Sequence, residues 1–336
     1  MTYLNRFSDL SNSWQLARSS DNLRGMMDKK ARELTTGNLT ALDISRNAET
    51  ARLVAMDRTL ELIDGYSTGL NHAQTRADAT QASLFSIRTS TADIMMNVLS
   101  LAKQDSFMSA DIQATEAVSE LDRVVSALNT HVAGQTLFSG AASDQPAISD
   151  GATMLADVEA ILTAAPDVPT AIANVDFYFN DPAGGYMTGI YSGATVAGPD
   201  VAVREGDHVA YEVRADDPAI RGALRNLTLV GAVANGAYVG PLSDLKALLI
   251  NAGENNLTNN DAIIRVQESL GYAQERMSEG QAANAAEKTR LDLARTEVAN
   301  ADPYEAAARF QELEAQLERL YTVTARLGSL SLANYM

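Results

Sequence analysis

The chain has 336 residues, of which 46% are hydrophobic, and can therefore bury a core large enough for two or three domains. Its 43 acidic residues outnumber the 26 basic ones, and the net charge of -17 disfavours nucleic acid and anionic membranes as partners, because both are bound through basic residues. The absence of cysteine excludes disulfide bonds and thiolate metal sites.

The N-terminus, MTYLNRFSDLSNSWQLARSS, lacks the uninterrupted apolar core of a secretory signal peptide. No segment approaches the roughly 18 consecutive apolar residues that a membrane-spanning helix needs. We therefore expect a soluble protein without membrane insertion, which would need an export route other than Sec if it leaves the cell.

The first predicted element is an amphipathic segment that ends at Gly37, within the breaker TTGN. Its apolar residues keep a spacing of three and four, apart from one slip near Ser20. They are Tyr3, Phe7, Leu10, Trp14, Ala17, Leu23, Met27 and Leu34. A helix with such a wide apolar face needs a partner to cover it.

The longest pattern runs from Met56 to Leu101 with unbroken 3,4 spacing. It predicts a helical rod of about 70 Å, which Gly65 and Gly69 weaken without interrupting. A second seam extends from Ala114 to Val132, stops at Gly134 and suits an antiparallel partner.

The middle of the chain, from Gly134 to about Gly240, loses the helical period. VDFYF (175–179) and VAVREGDHVAYEV (201–213) are rich in β-branched and aromatic residues and predict strands. REGD, at 204–207, predicts a hairpin turn, and Asp217 followed by Pro218 predicts the start of a short helix.

Helical spacing resumes at Ile263 and continues to Val298, apart from a polar gap at 280–287 that predicts a bend or a seam facing solvent. The preceding GENNLTNND, residues 253–261, lacks the alternating acids of a calcium-binding loop. It predicts a plain loop that ends in the N-cap of the next helix.

The last helix has a well-marked start, with Asp302 as N-cap, Pro303 at the first helical position and Glu305 as the acid of a capping box. Its apolar seam, opposite a charged face, comprises Ala306, Phe310, Leu313, Leu317, Leu320, Thr324 and Leu327. Apolar residues continue through Leu330 to the end of the sequence.

These elements predict a mainly α fold, in which the N- and C-terminal halves form a long antiparallel helical coiled-coil bundle around an inserted small β-containing domain. We expect terminal assembly helices at residues 1–44 and 300–336, a helical rod at 45–137 and 243–299, and an outer β-containing domain at 138–242. Because the breakers TTGN and NADP separate the terminal helices from the rod, their apolar faces need other partners.

Catalytic and cofactor motifs are not found in the sequence. His72, His131 and His208 have no spacing that would join them as metal ligands, and we interpret them as structural or solvated. Nucleophile elbows, Walker loops and dinucleotide fingerprints are missing as well. We therefore expect a protein that is not an enzyme and binds no cofactor or metal.

Three passages resemble the flagellin superfamily. They are ELTTGNLTALDISRNAETARLVAMDRTL, NTHVAGQTLFSG and DPYEAAARFQELEAQLERLYTVTARLGSLSLANYM. With the out-and-back order of the helices, the resemblance covers both helical halves and is weak between them. GQTLFSG and LGSLSLANYM are more similar to the hook-associated branch, which joins hook to filament, than to flagellin itself.

The resemblance implies a structural adaptor of the bacterial flagellum whose terminal helices fold on assembly, pair N- to C-terminus and pack against neighbouring copies in a ring or tube. It implies a neighbouring hook-associated protein, flagellin, an export chaperone and the type III export apparatus as partners. The implied location is extracellular, at the hook–filament junction, reached without a cleaved signal peptide.

The residues expected to carry this assembly are Phe7, Leu10, Trp14, Leu23, Met27, Leu34, Phe310, Leu313, Leu317, Leu320, Leu327 and Leu330. Two alternatives stay open: flagellin itself, the filament subunit, and a coiled-coil scaffold unrelated to flagella.

Overall fold

The computed structural model describes residues 2–40, 50–103 and 107–333, and the side chains of residues 14–40, 50–103 and 116–327. The helices in these residues are α1 (Thr2–Thr36), α2 (Thr50–Lys103), α3 (Phe107–Leu128), α4 (Gly151–Ala164), α5 (Val168–Asn180), α6 (Pro218–Ala234), α7 (Leu242–Ala299) and α8 (Pro303–Ala333). A single π-helical turn spans Tyr186–Ile190. None of these helices combines the length and apolar character required to cross a membrane.

Two antiparallel hairpins make up the sheet structure of the described residues. β1 (His131–Val132) pairs with β2 (Gln135–Thr136), and β3 (Val201–Arg204) pairs with β4 (Asp207–Val209). The predicted mainly α fold with a small β part is therefore confirmed.

The elements form two compact units, one of residues 1–63 with 285–336 and the other of residues 64–284. Within residues 64–284, α2 runs antiparallel to α7. At one end of this pair, Nε2 of Gln281 in α7 donates to Oδ1 of Asn71 in α2 at 2.9 Å. At the other end, Nζ of Lys103 in α2 lies 2.9 Å from Oε1 of Glu254 in α7. Residues of the seams predicted from the sequence are buried along both helices. They include Leu70, Ala73, Ala77, Leu84, Ile87, Val98, Ile263, Leu270, Ala273 and Met277.

α6 is the central helix of this unit, and it packs against α3, α4 and α5. Nearly every residue from Ala219 to Val233 is buried. Its start follows the prediction, because Asp217 accepts from the amide of Ala219 at 2.8 Å and Pro218 occupies the first helical position.

The hairpin β3–β4 docks on α7, at the polar gap in the helical seam. Asn284 is buried and donates from Nδ2 to the carbonyl of Val203 at 3.0 Å, and Arg276 donates to Asp207 at 2.8 Å. Gly280 lies so close to Val203 that an added Cβ would overlap it. The prediction of a seam facing solvent is therefore wrong, since these polar and small residues hold the hairpin.

Two predictions of local structure are also wrong. VDFYF lies in α5, because Asp167 caps that helix by accepting from the amide of Thr170 at 2.8 Å, and Ala171, Val175 and Phe179 are buried at helical spacing. GENNLTNND lies inside α7, where Gly253 allows close approach to Leu99.

The second predicted seam is shorter than expected, since α3 ends at Leu128 and the chain then enters β1. Residues 138–242 are mainly helical and contain the hairpin β3–β4, and they belong to the same compact unit as residues 64–137 and 243–284. The division into terminal helices, rod and outer domain stays a prediction.

Candidate assembly surface

The terminal helices α1 and α8 lie side by side and antiparallel within the unit of residues 1–63 and 285–336. Arg24 of α1 donates from Nε and Nη2 to the phenol oxygen of Tyr321 at 3.0 and 2.6 Å. Hydrogen bonding by Ser20 and Arg24 lowers the pKa of the Tyr321 phenol from its ordinary value. The pairing of N- with C-terminal helix that the resemblance implied is present within one chain.

A short β-bridge, which we call the corner, joins residues 37–40 to residues 299–302. The amide of Leu39 donates to the carbonyl of Ala299 at 2.8 Å, and the amide of Ala301 donates to the carbonyl of Gly37 at 2.9 Å. Gly37 has a φ of 71°, which a glycine adopts without strain and which ends α1 abruptly. The corner therefore directs α8 back along α1.

Glu33 is a functional candidate that the sequence did not reveal. Its side chain is 1% exposed, accepts from Lys30 Nζ at 2.6 Å and accepts from the backbone amide of Thr40 at 2.9 Å. A buried carboxylate with these two donors ties the end of α1 to the corner. No local pattern marks this residue, because its burial depends on contacts beyond the helix.

The predicted assembly residues divide into three groups in the structure. Those with side chains outside the described residues are Phe7, Leu10 and Leu330. Those buried or half-buried in the α1–α8 pair are Leu23, Met27, Phe310, Leu313, Leu317 and Leu320. Those that remain exposed are Trp14, Leu34 and Leu327. The role of all twelve in assembly stays a prediction.

The slip near Ser20 has a structural meaning. Trp14 and Leu23 are nine residues apart, which is about two and a half helical turns, so they lie on opposite faces of α1. Leu23 is 9% exposed, whereas Trp14 is 65% exposed. The apolar stripe that includes Leu23 serves the α1–α8 pair, and Trp14 lies outside that stripe.

Further apolar side chains are exposed on the same unit. They are Met26, Val54, Leu62, Leu293, Tyr304, Tyr321 and Val323. Few apolar side chains of this unit are fully buried, whereas the residues from Leu70 to Met277 contribute to a large continuous core. The terminal unit, of residues 1–63 and 285–336, therefore exposes more of its described apolar side chains than it buries.

Charge is distributed unevenly between the two units. Residues 64–284 contain 27 acidic and 11 basic residues and carry a net charge of -16, whereas the unit of residues 1–63 and 285–336 contains 16 acidic and 15 basic residues and carries -1. A nearly neutral surface can pack against copies of itself without strong repulsion. The terminal unit therefore lacks the strong net charge that would oppose contact between copies of it.

The histidines do not converge on a common site: His72, His131 and His208 are exposed on separate elements. Within the described part of the chain, no three residues among His, Asp and Glu are grouped as a metal site would require.

Comparison with known proteins finds one family model that matches part of the chain. Residues 256–336 match the family model for the bacterial flagellin C-terminal helical region. No curated protein sequence is significantly similar to the chain.

Two solved structures resemble this one. A protein assigned as a flagellar hook-associated protein of Vibrio parahaemolyticus matches with a TM-score of 0.50 and 17% identity, over 74% of this chain and 96% of that one. FlgL of Bacillus cereus matches with a TM-score of 0.49 and 15% identity, over 72% of this chain and 98% of that one. Residues 256–336 are thus similar to the bacterial flagellin C-terminal helical region, and the chain shares its fold with the protein of Vibrio parahaemolyticus.

Proposed function

We propose that this protein is a structural component of the bacterial flagellum, a hook-associated adaptor that joins hook to filament by packing its terminal helices against other subunits. The main support is the antiparallel α1–α8 pair, whose two helices are linked at the corner and expose apolar residues on a nearly neutral unit. The flagellin match at residues 256–336, which includes all of α8, supports the same role.

The partners in this proposal are further copies of the chain in a ring or tube, a neighbouring hook-associated protein and flagellin. The acidic surface of residues 64–284 suits a part that faces solvent, because like charges keep neighbouring copies apart there. Export would proceed through the flagellar type III apparatus with a chaperone, and the role is structural rather than catalytic.

The proposal is tested by deleting the gene and examining the cells by electron microscopy. We expect hooks without filaments, flagellin released into the medium and loss of swimming, all restored by the wild-type gene. Filaments of normal length on the deletion strain would contradict a junction role. If purified protein alone formed long filaments, the chain would instead be a filament subunit.

A further inference from the structure

A groove of about 470 Å³ lies between α1 and α8, next to the corner. Its apolar lining residues are Met26, Leu39, Ala301, Ala306 and Leu313, of which Ala301 and Ala306 are buried, and its other eight lining residues are polar or charged. The side chain of tryptophan, the largest in proteins, would fit in a space of this size with room for a neighbouring side chain.

The rim of the groove carries one unpaired acid. Three of its four carboxylates are engaged, one by Lys30, one by Arg309 and one by the first amides of α8. The fourth, Glu305, is exposed and makes no ion pair with any side chain that the structure describes. The basic residues Lys29, Lys30 and Arg309 also line the groove. The groove therefore offers several apolar side chains and, with four acidic and three basic lining residues, a small net negative charge.

Trp14 and Arg18 form a complementary pair on the opposite half of α1. Trp14 is the single tryptophan of the chain and is 65% exposed, and the guanidinium carbon of Arg18 lies 5.3 Å from its ring centroid. Arg18 makes no ion pair with a described side chain. Tryptophan and arginine are the residues that most often contribute large parts of a binding energy.

The groove cannot receive Trp14 of its own chain. Trp14 precedes Met26, at the edge of the groove, by twelve residues of continuous helix, a separation of about 18 Å along the axis. No side chain spans that distance, so any contact between the two sites joins different molecules.

We propose that the groove binds Trp14 and Arg18 of a second copy of this chain, an inference that rests on the proposed self-assembly. The indole covers the apolar side chains of the groove, and the guanidinium of Arg18 pairs with Glu305. Each copy then donates one end of α1 and receives the end of another at its groove. Such a head-to-tail contact repeats from copy to copy, closing into a ring or continuing as a helix.

Site-specific cross-linking tests the contact in assembled flagella. Because the chain has no cysteine, Ala17→Cys, one turn from Trp14, and Gln316→Cys, in the groove, introduce the only thiols. The full-length double variant is expressed in the deletion strain, and isolated flagella are treated with a short bismaleimide. The matched control combines Ala17→Cys with Thr322→Cys, an exposed position outside the groove.

We expect a ladder of dimers, trimers and larger species for the groove pair and only monomer for the control. Adding Glu305→Lys should weaken the ladder at least tenfold, and adding Arg18→Glu to that variant should restore it. A single dimer band, equal ladders for both pairs, or no ladder although the protein is present in the flagella would each overturn the contact and leave the junction role standing. Absence of the wild-type chain from flagella would overturn both the contact and the proposed junction role.

Discussion

The amide of Leu39 donates a 2.8 Å hydrogen bond to the carbonyl of Ala299, and this contact joins two chain segments that are 260 positions apart. With the bond from Ala301 to Gly37, it sets the antiparallel course of α1 and α8. The pairing of the terminal helices thus depends on backbone geometry at the corner as well as on their apolar seams.

Substitution of Gly37 tests the role of the corner. Gly37→Ala should destabilise the α1–α8 pair by about 1 kcal/mol, because alanine is strained at a φ of 71°. Hydrogen exchange should show faster opening of α1 and α8 and unchanged protection in residues 64–284. The control is Gly25→Ala, in the interior of α1 with open space around an added Cβ, which should slow exchange instead. Equal effects of the two substitutions would contradict a special role for the corner.

The seam of α8 is tested at Leu320, which is half-buried in the pair. Leu320→Asp should leave the melting of residues 64–284 unchanged but remove roughly 1.5 to 3 kcal/mol of apolar burial per subunit in the assembled state. We expect an exported protein that does not support filament growth, measured by blots of secreted protein and a motility assay. Thr322 lies on the exposed face of the same helix, and cells that carry Thr322→Asp should swim normally. A large fall in melting temperature for Leu320→Asp would place this residue in the main core.

Docking of the hairpin β3–β4 is tested at Gly280. Gly280→Ala should destabilise residues 64–284 by about 1 to 3 kcal/mol, since its methyl group would overlap Val203. Gly271→Ala, in the same helix with nothing within 4 Å of an added Cβ, should stabilise them by about 0.5 to 1 kcal/mol. Urea denaturation measures the free energy of unfolding of both variants. If Gly280→Ala left that free energy unchanged, the hairpin would not be held at Gly280.

Buried tyrosines make residues 64–284 sensitive to alkali. Burial raises the pKa of Tyr186 well above 10.0, and its hydroxyl donates to the carbonyl of Ala215 at 2.7 Å. Above pH 10 the buried phenol stays neutral in the folded protein, whereas it ionises in the unfolded chain. The contribution of Tyr186 to stability is therefore complete below pH 10 and is lost progressively above that value.

Unfolding should therefore accompany tyrosine ionisation in an absorbance titration above pH 10. Tyr186→Phe should lower stability at pH 7 by about 1 kcal/mol through the lost hydrogen bond and reduce the steepness of alkaline unfolding. Ionisation of Tyr186 without any loss of helix would contradict its burial.

The sequence predicted those elements that local signals determine. The seams of α2 and α7, the start of α6 at Asp217 and the start of α8 at Asp302 follow from spacing and capping alone. The same holds for the break at Gly37.

Contacts between distant parts of the chain decided the features that the sequence did not reveal. Asn284 is buried because Val203, 81 residues away, accepts its hydrogen bond. In the candidate assembly surface, the burial of Glu33 depends on the amide of Thr40 in the corner. The strand prediction for VDFYF relied on side-chain preference, which the cap at Asp167 and the burial pattern of α5 override.

The position of the protein on the flagellum tests the central claim most directly. An epitope inserted after Val239, which is 93% exposed between α6 and α7, should leave the fold intact and bind antibody on native flagella. Gold labelling in electron micrographs should mark one narrow band where the hook meets the filament. Label along the whole filament, or none on flagella that bear the tagged protein in blots, would contradict the junction role.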